Sequence, residues 1–233
     1  VNYDELQAPD TAIVGEGQRL GAESLEVFFA RTPRFAVAYS GGCDSSFLLA
    51  AAQEAGCVVH AYTVDTAFQA PFEKADAEEV VCALGVPHTI IPVDILSAEE
   101  VVANPANRCQ LCKAHVFAAI KQAALADGFT VVADGTNASD NPARRPGFIS
   151  LAEAGVVSPL RRAGYTKARV RSELARLERV GEYAPGSLMS SKPSFPCLAV
   201  FVETGTPLTW ENLQAVAEKH AVERARAAQA QGL

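Results

Sequence analysis

Ser40-Gly41-Gly42-Cys43-Asp44-Ser45-Ser46 lies between two apolar runs, Phe35-Ala36-Val37-Ala38-Tyr39 before it and Phe47-Leu48-Leu49-Ala50-Ala51-Ala52 after it. The first run reads as a buried strand, and the second continues from the serines as a helix over 45–55 that Gly56 stops. Two adjacent glycines let the backbone turn tightly and bring its N–H groups close to an anion. Ser45 and Ser46 fall where the new helix exposes unpaired N–H groups and the positive end of its dipole. The unit therefore reads as strand, phosphate-binding loop, helix; a glycine turn without a ligand is the plain alternative. No lysine occupies the loop as it would in a Walker A sequence, and Asp44 stands inside it. That composition suits a site holding pyrophosphate as a leaving group, with Asp44 helping to place Mg²⁺.

Outward from this loop, strands and helices alternate. Residues 57–64 read as a second strand ending at Asp65, 73–84 as a helix closed by Gly85, 88–93 as a third strand, 112–126 as a helix leading to Gly128, and 130–133 as a fourth strand. Such an order predicts an α/β fold with a parallel, Rossmann-like sheet covered on both faces, and ligands at the carboxyl ends of its strands. Asp44, Asp65 and Asp134 all fall just past such ends. A helix over 18–30, apolar at Leu20, Leu25, Phe28 and Phe29, is expected beside the sheet. From Asp134 to Pro142 the chain is polar and turn-forming, with no clear strand for about 20 residues, a loop length that is commonly functional. Beyond it come an arginine-rich helix over 166–179, an irregular segment over 181–196 and an amphipathic helix over 211–228. Leu213, Val216, Ala217 and Val222 share one side of that last helix and offer a surface for a homo-oligomer.

A length of 233 residues with 49% hydrophobic content suits one α/β domain with an appendage. The formal net charge of −7 argues against nucleic acid as a partner. No apolar run approaches a membrane span, and residues 1–5 carry no basic segment followed by an apolar one, so a cytoplasmic protein is expected. One local basic cluster, Arg161, Arg162, Lys167, Arg169 and Arg171, reads either as a site for a small phosphorylated ligand or as a solvated helix face. His88 reads as structural.

Six cysteines in a cytoplasmic chain are better read as metal ligands, nucleophiles or small buried residues than as disulfides. Asn107-Arg108-Cys109-Gln110-Leu111-Cys112-Lys113 places two thiols three residues apart at a helix start, where dipole and cations favour thiolates near neutral pH. Cys197 lies in Ser191-Lys192-Pro193-Ser194-Phe195-Pro196-Cys197-Leu198, with Lys192 as local positive charge. Cys109, Cys112 and Cys197 together suit three irons of a [4Fe–4S] cluster with the fourth left open, or a zinc site with one outside ligand. Cys43 lies in the phosphate loop, and Cys57 and Cys82 read as buried packing residues.

The loop Ser40-Gly41-Gly42-Cys43-Asp44-Ser45 resembles the signature of the PP-loop ATP pyrophosphatases, which split ATP into AMP and pyrophosphate. Taken with the Asn107 to Lys113 motif, Asp134-Gly135-Thr136-Asn137-Ala138-Ser139-Asp140, Arg145-Pro146-Gly147, Ser158-Pro159-Leu160, Lys167 with Arg171, and the Lys192 to Ala199 motif, the chain is similar to the sulfur transferases that build the nickel-pincer nucleotide cofactor of lactate racemase. The resemblance implies a PP-loop domain over 1–160 and a C-terminal helical and irregular extension over 161–233 that carries Cys197. It implies ATP, Mg²⁺ and a [4Fe–4S] cluster as cofactors. The implied substrate is a small-molecule carboxylate, in that family a pyridinium-3,5-biscarboxylate mononucleotide, served by a sulfur-donor system. The carboxylate is adenylated, then converted to a thiocarboxylate with sulfur from Cys197 itself, left as dehydroalanine, or from a sulfide on the cluster.

On this resemblance the nucleotide-binding residues are Ser40, Gly41, Gly42, Asp44, Ser45, Ser46, Asp65, Gly135, Thr136, Asn137 and Arg145; the catalytic ones are Cys197, Asp44 and Lys113; and the cluster ligands are Cys109, Cys112 and Cys197. Asn137 reads equally as an Asx turn and Arg145 as a surface ion pair. Phe201 stands where that family has an arginine, so an implied contact to phosphate or carboxylate has no counterpart there. Two other enzymatic readings remain, a homologue thiolating another small molecule and an ATP-dependent amide synthase with no use for Cys197. A domain that only senses adenine nucleotide would bind ATP without releasing pyrophosphate.

Overall fold

A computed structural model describes residues 14–180, 183, 184, 186–188 and 190–230, with side chains described through 225. Residues 1–5, read for a leader, lie outside this set, as do residues 181, 182, 185 and 189 of the segment read as irregular; its described residues form no helix or strand.

The elements follow the alternation read from the sequence. After a 3₁₀ turn at Glu16–Gln18 come α1 (Leu25–Arg31), β1 (Arg34–Ala38), α2 (Cys43–Glu54), β2 (Val58–Asp65), α3 (Pro71–Leu84), β3 (His88–Pro92), α4 (Glu99–Val102), α5 (Arg108–Ala126) and β4 (Val132–Asp134). Then α6 (Gly147–Glu153), α7 (Pro159–Arg162), α8 (Lys167–Arg179), a 3₁₀ turn at Leu198–Phe201 and α9 (Trp210–Ala230) complete the described chain. The four strands are all parallel, in the order β3-β2-β1-β4.

Alternation along β1 sends its residues into two cores. Phe35 and Val37 join Phe28, Phe29, Leu48, Leu49, Val80 and Leu174 on one face of the sheet. Ala36 joins Tyr62, Phe117, Ile120, Leu151 and Val156 on the other, under α5 and α6. A third, smaller core gathers Leu198, Ala199, Leu208 and Leu213 against Phe68, Ile95 and Val101. Residues 198–217 are thereby packed beside the carboxyl ends of β2 and β3, while α8 lies on the face covered by α2. Among the described residues no helix is long and apolar enough to cross a membrane.

Several expectations change. The helix over 18–30 is a 3₁₀ turn plus the shorter α1, because Ser24 caps α1 through its hydroxyl, accepting from the Val27 N–H at 3.3 Å, and Leu20 is left exposed. The stretch after the turn-forming residues 134–142, for which no element is expected, holds α6, capped by Pro146, and α7, begun by Pro159, a residue suited to a helix start. Val157 returns to bridge Ala133, so the sheet gains a single-residue fifth position. The apolar side of α9 is largely used within the chain: Leu213 is buried and Val216 and Ala217 pack on the third core, while Val222 is exposed. Cys82 is exposed and Cys57 half-buried, so neither is a core residue in the full sense.

Candidate functional site

β1 has β2 on one side and β4 on the other, so chain connections diverge at its carboxyl end and open a crevice there. The phosphate loop leaves β1 at this point. α2 begins at Cys43 with Gly42 as its cap, which offers no side-chain acceptor, so the positive end of the helix is left for a ligand. Of the two glycines only Gly41 is demanded by the backbone. Its φ is +73° and a Cβ there would lie 2.6 Å from the Ala77 Cβ, whereas Gly42 has an ordinary extended conformation. Gly135, just past β4, is required by close approach, since a Cβ would come within 2.6 Å of the Ser45 nitrogen. The two loops thus meet backbone to backbone.

Serine hydroxyls brace this arrangement. Ser45 and Ser46 both donate to the Gly42 carbonyl, at 3.1 and 3.0 Å, and the Ser45 Oγ accepts from the Ser40 N–H at 3.4 Å. Asp44 points away from the loop towards Asn137, whose Nδ2 donates to it at 3.1 Å, and Lys167, whose Nζ lies 2.5 Å from its other oxygen. Burial works against the Lys167 charge, yet its bonds to Asp44 and Cys43 outweigh that and hold the ammonium above its ordinary value. Asn137 fills both roles read for it, because its Oδ1 also accepts from the Ser139 N–H at 2.8 Å as an Asx turn. Asp134 is buried, and its oxygens accept from Ser158 at 2.6 Å and from Thr136. Burial raises its pKa. Mg²⁺ usually binds through one or two carboxylates plus phosphate oxygens, and Asp44, with lone pairs to spare beside the loop, fits that set.

A cavity of about 410 Å³ opens from the loop, a size suited to a cofactor-sized ligand. It is lined by Ser40, Asp44 and Ser45 of the loop, by Lys113 and Asp134, by Val64, Thr66 and Phe68 of the β2 edge, and by Cys112 and Cys197. A second cavity of about 460 Å³ shares the loop and is faced by Arg145, Lys167 and Lys192. Arg145 is itself paired with Asp140 at 2.8 Å but stays mostly exposed, so it belongs to the cavity rim and to an ion pair at once. Lys192 is buried and lies 3.1 Å from Glu73 and 3.0 Å from Asp76, which also receives both Nη groups of Arg224. It therefore serves this acidic pair and not Cys197. Burial raises the Glu73 pKa, while at Asp76 the cations overcome burial and lower it.

Cys109, Cys112 and Cys197 approach closely enough to influence one another's ionisation. The expected thiolate character is corrected for two of them: desolvation pushes the half-buried Cys112 thiol up to about 12 and raises that of Cys197, although the Cys197 residue is exposed, with Arg108 the main opposing cation. The helix start at Arg108 puts Cys112 in the first turns of α5, but there desolvation wins over dipole and charge. Among the described residues no group of three Cys, His, Asp or Glu side chains is gathered tightly enough for one metal ion. A zinc site, with ligands about 2.0–2.3 Å from one ion, has no support in this spacing. Three separate thiols in mutual reach do fit the donor set of an iron–sulfur cluster, where each binds its own iron.

Asp65 is not brought to the site. Alternation along β2 turns Val64 and Thr66 into the cavity and Asp65 away, where it pairs with Lys74 at a separate groove. The basic cluster disperses as well. Arg161 is buried against the carbonyls of Gln18 and Asp140, Arg162 pairs with Glu23, Arg169 lies over Tyr165 and Arg171 bonds the carbonyls of Ser190 and Lys192. Of the five, Lys167 alone lines either cavity. His88 is half-buried and shares a hydrogen bond of 2.8 Å with Thr63, a structural role. Phe201 packs on Phe195 and His220.

The model of the family described as "Queuosine biosynthesis protein QueC" matches residues 34–152, which contain the phosphate loop, all four strands and Gly135. This chain belongs to the QueC family. It is an ATP-using enzyme of the PP-loop ATP pyrophosphatase kind. "Uncharacterized protein slr1717" of Synechocystis is 32% identical over 195 residues, covering 83% of this chain and 70% of that protein. Two solved structures share the fold. A glutamine-dependent NAD⁺ synthetase from Acinetobacter baumannii, in complex with ADP, has a TM-score of 0.57 at 19% identity over 73% of this chain and 35% of its own. The NMN synthetase from Francisella tularensis has a TM-score of 0.56 at 18% identity over 73% of this chain and 72% of its own.

Sequence reasoning missed the cavity lining at Val64, Thr66 and Phe68, and the Lys192–Glu73–Asp76 group. The first had a signal, since residues past the end of β2 border the crevice in any such sheet. The second had none, because its members lie far apart in the chain.

Proposed function

We propose that this member of the QueC family is an ATP-dependent sulfur transferase acting on a small-molecule carboxylate. One observation supports it above others: Cys112 and Cys197 line the same cavity as Ser40, Asp44 and Ser45. An enzyme that only adenylates and amidates needs no thiol there.

A carboxylate resists substitution because its leaving group is oxide. Its oxygen first attacks the α-phosphorus of ATP, and the bond to the bridging oxygen breaks so that pyrophosphate leaves with the electron pair. The α2 terminus stabilises that departing charge; Asp44 would hold Mg²⁺, which when bound would supply further positive charge to the phosphates. Lys113, facing the cavity beside Asp134, neutralises the α-phosphate, and Arg145 receives a substrate carboxylate at the rim. Sulfur then attacks the acyl adenylate and AMP leaves. With Cys197 as donor, its thiolate forms a thioester; loss of the Cα proton of residue 197 and cleavage of its Cβ–S bond release the thiocarboxylate and leave dehydroalanine. Alternatively Cys109, Cys112 and Cys197 hold a [4Fe–4S] cluster, which when bound would supply a sulfide as the nucleophile. In this reading residues 1–160 bind nucleotide and 161–233 deliver Cys197. With Phe201 among aromatic rings, the substrate need not be the phosphorylated pyridinium dicarboxylate.

The test measures pyrophosphate, AMP and thiocarboxylate from ATP and candidate carboxylates, with iron and sulfide determined in anaerobic protein. Cys197→Ala is expected to retain carboxylate-dependent pyrophosphate release and lose sulfur transfer. Undiminished product formation by Cys197→Ala with ammonia in place of sulfur would overturn the proposal in favour of an amide synthase.

A further inference from the structure

Cys197 and the α5 thiols lie more than 80 positions apart in the chain, and a small, largely buried network joins their segments. Asn104 follows α4 and is fully buried at a φ of +52°, the one described non-glycine residue with positive φ. Asparagine tolerates that conformation better than most residues. Every hydrogen-bonding group of its side chain is used. Nδ2 donates to the carbonyls of Glu203, at 2.9 Å, and Thr206, at 3.1 Å, while Oδ1 accepts from Arg108 Nη1 at 2.7 Å. Because a guanidinium can only donate, the amide has one consistent orientation. The Asn104 carbonyl accepts from the Gly205 N–H at 2.8 Å.

Arg108, the first residue of α5 and the covalent neighbour of Cys109, uses the same Nη1 to donate to the Ala199 carbonyl at 2.7 Å. On the cavity side, the Leu198 N–H donates to the Phe68 carbonyl at 2.8 Å, and further along the Leu208 N–H donates to Val102 at 2.8 Å. The segment 198–208 is thus held by five hydrogen bonds to residues 102–108 and by one to the cavity wall. Cys197 is the residue immediately before it.

We propose that Asn104 and Arg108 are positioning residues, a clasp that sets the register of Cys197 against Cys109 and Cys112. This deepens the sulfur-transfer reading by naming what brings the two halves of the thiol site together. Neither residue lines the cavity, so both act through the segment they hold. Asn104→Gly keeps the backbone conformation and removes only the side-chain bonds. Arg108→Lys keeps the charge and removes the fork, which makes it the milder change.

Dibromobimane, which fluoresces only after both arms have alkylated thiols, reports the distance directly on the metal-free full chain, and peptide mapping identifies the pair joined. The wild type is expected to give a Cys197 cross-link to Cys109 or Cys112. Asn104→Gly is expected to lose roughly tenfold or more of that yield, and Arg108→Lys a smaller part, as sub-ångström misplacement erodes proximity. Both should keep the wild-type circular dichroism and ATP affinity. An undiminished cross-link in folded Asn104→Gly and Arg108→Lys, or no cross-link in the wild type, would overturn the clasp. Because the reagent reads thiol geometry alone, a chain that cross-links as expected yet never transfers sulfur sinks the proposed function and leaves the clasp standing.

Discussion

The two ends of the central cavity are built on different principles. The phosphate end centres on one short stretch of chain at the switch point of a parallel sheet, where Gly41 and Gly135 allow close backbone approach and each Asp44 oxygen has one partner, Asn137 or Lys167. The thiol end is assembled from α5 and a segment almost ninety positions later, joined by side-chain to backbone bonds; Cys109 and Cys197 are exposed and Cys112 is half-buried, and the pKa values of Cys112 and Cys197 are raised. A site for a polyanion is made from charge and dipoles that exist before the ligand arrives.

The sharpest way to break this division is Asp44→Ala. It is expected to lower ATP-driven pyrophosphate release by about a thousandfold or more, since it removes the loop's own carboxylate from the metal and leaves Lys167 unpaired. Thiol cross-linking should be untouched. If Asp44→Ala also abolished the cross-link, the two ends would not be independent.

Next in size is Gly135→Ala, whose new Cβ meets backbone at Ser45 and cannot be accommodated by a side-chain rotation. Steady-state kinetics should show kcat/KM down by about a hundredfold from misplacement of the loop, with about 1–3 kcal/mol lost in chemical denaturation.

At the thiol end, Cys112 in metal-free protein should alkylate about thirtyfold more slowly at neutral pH than in the unfolded chain. Raising the pKa from 9.0 to about 12 removes about three decades of thiolate, and the higher intrinsic nucleophilicity returns about half of them. The same shift has a stability consequence. The folded state holds this proton more tightly, so the contribution is complete below pH 9 and is lost progressively as pH rises towards 12. Denaturant titrations at pH 8 and 10 should differ in that sense, and less in Cys112→Ser. The smallest effect separates functional from incidental cysteines. Cys82→Ser, exposed on α3, should stay within about 0.5 kcal/mol of wild type and leave cross-linking and pyrophosphate release unchanged.

The phosphate end was legible in the sequence because its chemistry is local. A glycine pair between an apolar strand and a helix start, followed by an aspartate and serines, states its geometry within a few residues; strand alternation then located Asp134, and the family resemblance singled out Gly135 and Asn137. Asp65 shows the limit of that logic. Its place at a strand end was right, but only the pleat decides which side of the sheet edge a carboxylate faces, and it faces Lys74. The arginines after Ser158 show another limit, since four of five are spent holding neighbouring carbonyls or side chains, which composition cannot reveal. The thiol pKa values went the opposite way from the sequence expectation because burial, a tertiary quantity, outweighed the helix dipole and nearby cations that the sequence displays.

The sequence by itself determined the α/β class, the position of the phosphate loop and the three cysteines worth following, because those depend on periodicity and on turns spanning a handful of residues. Only the tertiary structure decided that Cys197 lines the same cavity as Asp44, that its thiol pKa is raised, and that Asn104 and Arg108 bond the segment that follows it. Those facts depend on which distant backbones pack together and on the water they exclude, and hydrogen bonds to carbonyls leave no mark on the identity of the residues that accept them.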